Sequence, residues 1–466
     1  MRPDKLKILM AAAEISPFAK VGGLADVLFG LPKALSRLNC EVRLFMPKYP
    51  FISVKEYGLK KIKTDLKLKF LNKIVLVNLW QGSLPGSRVK VYFLESRDYF
   101  SGPEVYGNPK DKFIFFSEAI VQVLSKISFK PQVIHCHDQH TALIPLILKQ
   151  RSIKIKTLLT IHNLSYQGQF DSALSSTLAW RVEKTPSLRV DMSDGDINPL
   201  VEGIINADLV NTVSPSYARE ILTKEYGSGL EKILRANKKK LSGIINGIDT
   251  EIFNPQNDKL IFKNFSLVDY HLKKENKAAL QKKLSLPVLD SEPLIALISR
   301  LVSQKGLDLI NDQLIKKVEA QFVFLGEGDK KYENYLQGLE KKYPEKVKTL
   351  ISFDLSLAQK LYAASDIFLM PSLFEPCGLG QMIAMRYGTV PLVRKTGGLT
   401  DTVTNKLGFS FLNYNFESLL QTIQKAVIMY SDKTKWQPLV RACLRADFSW
   451  REPAKEYLKL YQRLSK

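Results

Sequence analysis

The stretch Leu294–Leu325 reads LIALISRLVSQKGLDLINDQLIKKVEAQFVFL, and its grammar recurs through the second half of the chain. Leu294–Ile298 is an apolar run too short for a helix, which predicts a buried strand. Apolar residues at helical spacing follow over Leu307–Val318, and Phe322–Leu325 is the next strand. Beyond it the pattern gives a helix at Tyr332–Lys342, a strand at Val347–Ile351, a helix at Ala358–Ala364 and a strand at Ile367–Met370. A helix near Gln381–Tyr387, a strand at Val390–Val393 and a short helix at Thr400–Val403 complete it. Strands alternating with helices in this way make βαβ units and a parallel sheet.

The first half follows the same logic with longer insertions. Leu6–Ala12 reads as the first strand and Leu24–Leu38 as its crossover helix. Further strands are expected at Val42–Met46, Val89–Leu94, Val133–His137, Lys156–Ile161, Leu209–Val213 and Leu241–Ile245. Residues 164–204, with Pro186, Gly195 and Pro199, read as an irregular loop. The turn-rich run at Ile248–Asp258 marks the switch between halves. We therefore expect an α/β fold of two doubly wound domains, residues 1–250 and 251–450, with a final amphipathic helix over 451–466. Two such sheets facing each other leave a cleft at the C-terminal ends of their strands, where ligands bind.

At 466 residues, 45% hydrophobic and 24% charged, the chain is neither disordered nor fibrous. Its formal charge of +22 is the odd feature. Residues 1–250 hold 36 basic against 23 acidic side chains and residues 251–466 hold 32 against 23, so no arm or tail concentrates the excess. A diffusely basic surface is expected rather than a nucleic-acid partner. The four cysteines form no CxxC pair, a reduced, cytoplasmic pattern. The N-terminus faintly mimics a secretion signal, but Asp4 dilutes its basic part and Glu14 ends its apolar run. No run of 18 apolar residues exists to span a membrane.

Five stretches could carry chemistry. Lys20-Val-Gly-Gly-Leu opens the first helix, where adjacent glycines and free amides suit an anion. Arg300 and Lys305 follow the strand Leu294–Ile298, a planar fork and a point charge suited to a diphosphate. Glu375-Pro-Cys-Gly-Leu-Gly and Thr396-Gly397-Gly398 are further loops that run from strands into helices. His135-Cys-His-Asp-Gln-His140 suggests a metal hydrolase, yet Asp138 lies one place early for HxHxDH. Alternate strand residues face opposite sides, so three of these histidines converge only through a sharp turn. No metal site is expected.

These motifs resemble the glycogen/starch synthases of bacterial and plant type. Lys20-Val-Gly-Gly-Leu-Ala-Asp-Val, Thr160-Ile-His-Asn-Leu-Ser-Tyr-Gln-Gly, Asn211-Thr-Val-Ser-Pro-Ser-Tyr-Ala and Ile245-Asn-Gly-Ile-Asp carry the resemblance in the first half. Ser299-Arg-Leu-Val-Ser-Gln-Lys-Gly-Leu-Asp, Phe374-Glu-Pro-Cys-Gly-Leu and the run Tyr387–Val403 carry it in the second.

The resemblance implies a GT-B fold and a metal-independent, retaining transfer of glucose from ADP-glucose to the non-reducing 4-OH of an α-1,4-glucan. It makes Arg300 and Lys305 stabilisers of the leaving diphosphate, with Lys20, Gly22 and Gly23 closing over the phosphates. Asp138 and His162 would hold sugar hydroxyls and Glu375 would orient the glucose. Amides around Cys377, Gly378 and Leu379 would bind its 3- and 4-hydroxyls, beside Thr396, Gly397 and Gly398. Asn246 takes the place of an Asn that reaches the cleft, Phe353 of an aromatic on adenine, and Tyr106 a looser equivalence. The final helix would return to the first domain. The implied partners are a nucleotide sugar and a glucan primer, with no cofactor, nucleic acid or membrane, in cytoplasm or plastid stroma.

The chain departs from the family at Gln139 for Trp, Val201 for Lys, Gly380 for Thr, Ser352 for Gly and Phe353 for Tyr. Acceptor affinity and donor-base preference are the properties these touch. Two other functions compete: a GT-B transferase with another donor or a small acceptor, and a sugar- or nucleic-acid-binding protein with a retired site.

Overall fold

A computed structural model describes residues 5–178 and 180–465. The chain divides into two compact units, one of Met1–Gly247 with Trp450–Lys466 and the other of Ile248–Ser449.

The first unit is built on β1 (Leu6–Ala11), β2 (Cys40–Pro47), β3 (Lys60–Phe70), β4 (Lys73–Ser83), β5 (Lys90–Glu95), β6 (Val133–His137) and β7 (Lys156–Ile161). A two-stranded ribbon, β8 (Phe170–Asp171) with β9 (Asp196–Ile197), precedes β10 (Leu209–Thr212) and β11 (Leu241–Gly243). The main sheet has the order β11-β10-β7-β6-β1-β2-β5-β4-β3. Its pairs are parallel except β3 with β4 and β4 with β5. The interior strand β6 is buried throughout, which is why it reads as an unbroken apolar run apart from its histidines.

Two expectations for this unit need correction. Lys60–Ser83 forms a long antiparallel hairpin on a sheet expected to be parallel. Its outer strand is lysine-rich, and charge on an exposed edge blocks pairing with a second chain. Residues 164–204 are not one irregular loop: they hold the β8–β9 ribbon and helices at Pro186–Asp191 and Pro199–Asn206. Val201 lies buried in the latter helix.

The helix Gly23–Arg37 buries Leu24, Val27, Leu28, Leu31 and Leu35, the i, i+3, i+4, i+7 stripe of a core-facing helix. At Gly30 an added Cβ would sit 2.0 Å from Nε1 of Trp450. That glycine therefore admits the residue before the last helix, Arg451–Ser465, which belongs to this unit. Tyr457 and Tyr461 are fully buried within it. Asn211 donates to Tyr457 Oη at 2.9 Å, and Tyr461 Oη pairs with His135 Nδ1 at 2.8 Å.

The second unit carries β12 (Leu294–Ile298), β13 (Gln321–Leu325), β14 (Val347–Leu350), β15 (Ile367–Met370), β16 (Val390–Arg394) and β17 (Phe409–Phe411). All pairs in its sheet are parallel, in the order β14-β13-β12-β15-β16-β17. Between β12 and β13 the expected long helix is two 3₁₀ turns and a short helix, Asp312–Lys317. The break falls at Ile310 and Asn311, both extended, and the Asn311 side chain caps the short helix by accepting from Leu314 N at 3.0 Å. The unit's two chain ends lie side by side: Ile248 N donates to Phe448 O at 2.8 Å, and Ile248 bridges Ser449.

Candidate active site

Each sheet has one switch point, where successive strands are added on opposite sides. It falls between β1 and β6 in the first unit and between β12 and β15 in the second. Crevices at such points are where open α/β sheets bind ligands. The loops after these four strands carry most of the residues singled out from the sequence.

In the first unit the loop after β1 folds around the carboxylate of Glu14, which lies outside every motif named above. Glu14 is only 2% exposed. Its Oε2 accepts from the amides of Val21 at 2.5 Å and Gly22 at 3.0 Å, and its Oε1 accepts from Tyr106 Oη at 2.9 Å. Burial raises its pKa above the usual carboxylate value, while these donors oppose the rise. Glu14 thus shapes the Gly22-Gly23 turn and joins Tyr106 to it. Gly22 caps the helix without a side chain. Lys20 turns to Asp26, 2.7 Å away.

After β6, Asp138 takes φ 54°, the left-handed turn that lets the chain reverse. Its Oδ1 accepts from the amides of His162 at 2.6 Å and Asn163 at 3.4 Å. Burial pushes its carboxyl up to about 7, although both amide donors work the other way. His162 is held down at about 3 by burial. Its Nε2 lies 2.9 Å from His137 Nδ1. His135 and His137 share one strand face with ring centroids 4.0 Å apart, whereas His140 turns away to Tyr106 and Phe113. Among the described residues no three His, Cys, Asp or Glu are grouped to hold a metal ion. Asn246 follows β11, buried, with no partner for its Oδ1 among the described residues.

In the second unit Lys305 Nζ lies 2.7 Å from Glu375 Oε2, which also accepts from Ser372 Oγ at 3.0 Å. Gly306 permits this approach, since a Cβ there would meet Pro371 O at 2.0 Å. Gly398 N donates to Glu375 O at 3.1 Å, drawing the Thr396–Gly398 turn onto the Glu375–Leu379 loop. A side chain on Gly398 would strike Cys377 O at 2.3 Å, so the contact requires glycine. Gly378 stands at φ 72° with Gln381 folded over it, donating to its carbonyl at 2.8 Å. Leu379 caps the helix Gly380–Arg386. Buried Arg394 holds the carbonyls of Ser372 and Leu373 from below. Arg300 is exposed on the loop after β12. Phe353 is 60% exposed after β14, its amide donating to Glu327 Oε1 at 3.1 Å.

The structure therefore joins Lys305 with Glu375, Asp138 with the amide of His162 and, through Glu14, Tyr106 with the amide of Gly22. Glu14, Ser372 and Arg394 are supporting residues outside the candidates drawn from the sequence, and His137, weighed there only as a metal ligand, instead contacts His162. The departures are accommodated: Gln139 Oε1 fills the space where a Cβ on Gly168 would come within 2.2 Å, and a Cβ on Gly380 would meet the Phe368 ring at 2.9 Å.

Residues 7–236 match the family model described as Starch synthase catalytic domain, and residues 281–438 match Glycosyl transferases group 1. The chain is 42% identical to a glycogen synthase of Thermosipho africanus, covering 98% of this chain and 99% of that one. It is also 42% identical to a glycogen synthase of Thermotoga maritima over the same shares. The catalytic domain of starch synthase IV from Arabidopsis thaliana, bound to ADP and acarbose, superposes with a TM-score of 0.92. That chain is 35% identical, with 99% of each chain covered. A sucrose-phosphate synthase from Thermosynechococcus elongatus shares the fold at a TM-score of 0.64 and 19% identity over 99% of each chain.

Proposed function

The chain belongs to the glycogen/starch synthase family, and from that premise we propose that it elongates an α-1,4-glucan with glucose from ADP-glucose. The bond from glucose C1 to the diphosphate breaks and one to the non-reducing 4-OH forms, with retention. The hydroxyl proton leaves with ADP. The observation that carries this reading is the Lys305–Glu375 pair at the second switch point, 2.7 Å apart.

Lys305 and Arg300 supply positive charge where the departing diphosphate gains negative charge, which is electrostatic stabilisation of the transition state. On that account the transfer needs no metal. Glu375 has one oxygen held by Lys305 and Ser372, which fixes the carboxylate and leaves Oε1 to the glucose. The amides of the Cys377–Leu379 loop serve its hydroxyls, and Phe353 offers an exposed ring to the base. On the first unit, Asp138 and His162 face the transferred sugar, with the Glu14-shaped turn at Gly22 and Gly23 taking phosphate oxygens. The Arabidopsis relative's ADP and acarbose are the ligand chemistry expected here: a nucleoside diphosphate and a glucan-like chain.

The test is incubation with labelled ADP-glucose or UDP-glucose and a glucan primer. Incorporation from ADP-glucose, with release of ADP, is expected. Folded protein that transfers from neither donor would overturn the proposal.

A further inference from the structure

His135 and His137 are buried at the end of β6, and half-buried His162, the first residue after β7, completes a group of three imidazoles. His135 has both nitrogens matched, Nδ1 with Tyr461 Oη at 2.8 Å and Nε2 with Thr160 Oγ1 at 2.7 Å. Among the described residues His137 is matched on one side only: Nδ1 meets His162 Nε2 at 2.9 Å, and its buried Nε2 has no hydrogen-bond partner. His162 has its Nε2 occupied by that contact and, among the described residues, no hydrogen bond on Nδ1.

Burial keeps all three rings uncharged. Two neutral imidazoles that share a hydrogen bond must divide its roles: one nitrogen donates and the other accepts. If His162 donated, His137 would carry its own proton on Nε2, an N–H buried with nothing to receive it. Orphaned buried N–H groups are rare because they lose their hydration without replacement. If His137 donates from Nδ1, the unmatched atom is a bare ring nitrogen, and His162 carries its proton on Nδ1. The second arrangement is the one that leaves no stranded donor.

We propose that His137 is a positioning residue that holds His162 as its Nδ1–H tautomer, so that His162 presents a hydrogen-bond donor to an oxygen of the bound sugar. The proposal rests on the reading of His162 as a residue that faces the transferred glucose. A hydrogen bond made by one ring nitrogen sets the protonation of the other. His137 thereby decides whether His162 offers a donor or an acceptor. Asp138 fixes the same residue through its main-chain amide at 2.6 Å, so ring and backbone of His162 are set by neighbouring residues of one turn.

Imidazole-labelled protein with five histidines gives a resolvable nitrogen–proton correlation spectrum. In the wild type, His162 is expected to show the Nδ1–H pattern, a readout independent of turnover. A His162 that is the Nε2–H form overturns the proposal. His137→Asn keeps an N–H near the Nδ1 position and is expected within about 3-fold of wild-type kcat. His137→Leu removes it and is expected to lower kcat about 10-fold with donor KM changed less than about 3-fold. It should also move His162 to the Nε2–H form and bring its protonation into the acid limb of the kcat profile. A Leu variant with wild-type kcat and unchanged tautomer would overturn the role. If the wild type transfers no glucose at all, the functional reading fails while the spectrum still decides the tautomer.

Discussion

Lys305 Nζ sits 2.7 Å from Glu375 Oε2 across 70 residues of sequence, with both side chains largely buried. A cation and a carboxylate out of water hold each other charged, and removing one strands the other. Lys305→Ala and Glu375→Ala are each expected to lower kcat at least about 10²-fold, as lost transition-state contacts do. The double variant should lose much less than the product of the two, because the pair acts as a unit. Steady-state kinetics of the four proteins measures this directly. A near-normal single variant would show that the roles are misassigned.

Asp138 predicts a pH signature. Its folded pKa is raised from 3.8 to about 7. From about pH 4 to 7 the folded protein keeps a proton that the unfolded chain has released, so this group's contribution to stability falls as pH rises through that window. Melting temperatures of Asp138→Asn should fall less steeply with pH than those of wild type. Asn also tolerates φ 54°, so backbone strain does not confuse the comparison. If the carboxylate is the active form, kcat/KM rises with an apparent pKa near 7, and the Asn variant lacks that limb. His162, held near 3, cannot produce it.

Glu14 carries a structural load that the motif itself does not announce. Glu14→Ala leaves the part-buried amides of Val21 and Gly22 without their acceptor, an expected loss of about 0.5–1.5 kcal/mol for each hydrogen bond. Urea unfolding should show it, together with a raised KM for the donor. Tyr106→Phe removes one hydrogen bond of the three and should cost about 1 kcal/mol. An Ala variant with unchanged stability and KM would show that solvent replaces the carboxylate.

Gly380→Thr restores the residue usual in the family but places its Cβ 2.9 Å from the Phe368 ring. Overpacking of a filled core costs about 1–3 kcal/mol. The variant is therefore expected to melt lower and to gain no activity. A Thr variant that is faster and equally stable would mean that the missing methyl and hydroxyl, rather than the packing, set the rate.

What the sequence made legible was the part of the fold dictated by burial. Strands such as Ile367–Met370 lie in sheet interiors, so their apolar runs announce them. The Lys60–Ser83 hairpin was invisible because its outer strand holds Lys60, Lys61, Lys63, Lys67 and Lys69, a pattern that reads as solvated chain. Six exposed lysines from Lys60 to Lys73 against the single acid Asp65 also place part of the +22 charge on that edge. The candidate site residues stood out through their glycine-rich loops and charges. Their supports did not: Glu14 meets Tyr106 across 92 residues, and Arg394 reaches Leu373 from a neighbouring strand. Such partnerships are made by topology, and no local pattern encodes them.

The chain leaves its first unit at Gly247 and returns at Trp450. Two fully buried tyrosines of that unit, Tyr457 and Tyr461, follow the inserted residues in the sequence. During synthesis domains usually fold in the order they emerge. Here the order inverts. The inserted unit is complete when Ser449 leaves the ribosome, while the unit begun first waits for its last helix. At about 5–20 residues per second, the strands up to β11 stand exposed for roughly 10–40 s before Tyr461 can reach His135.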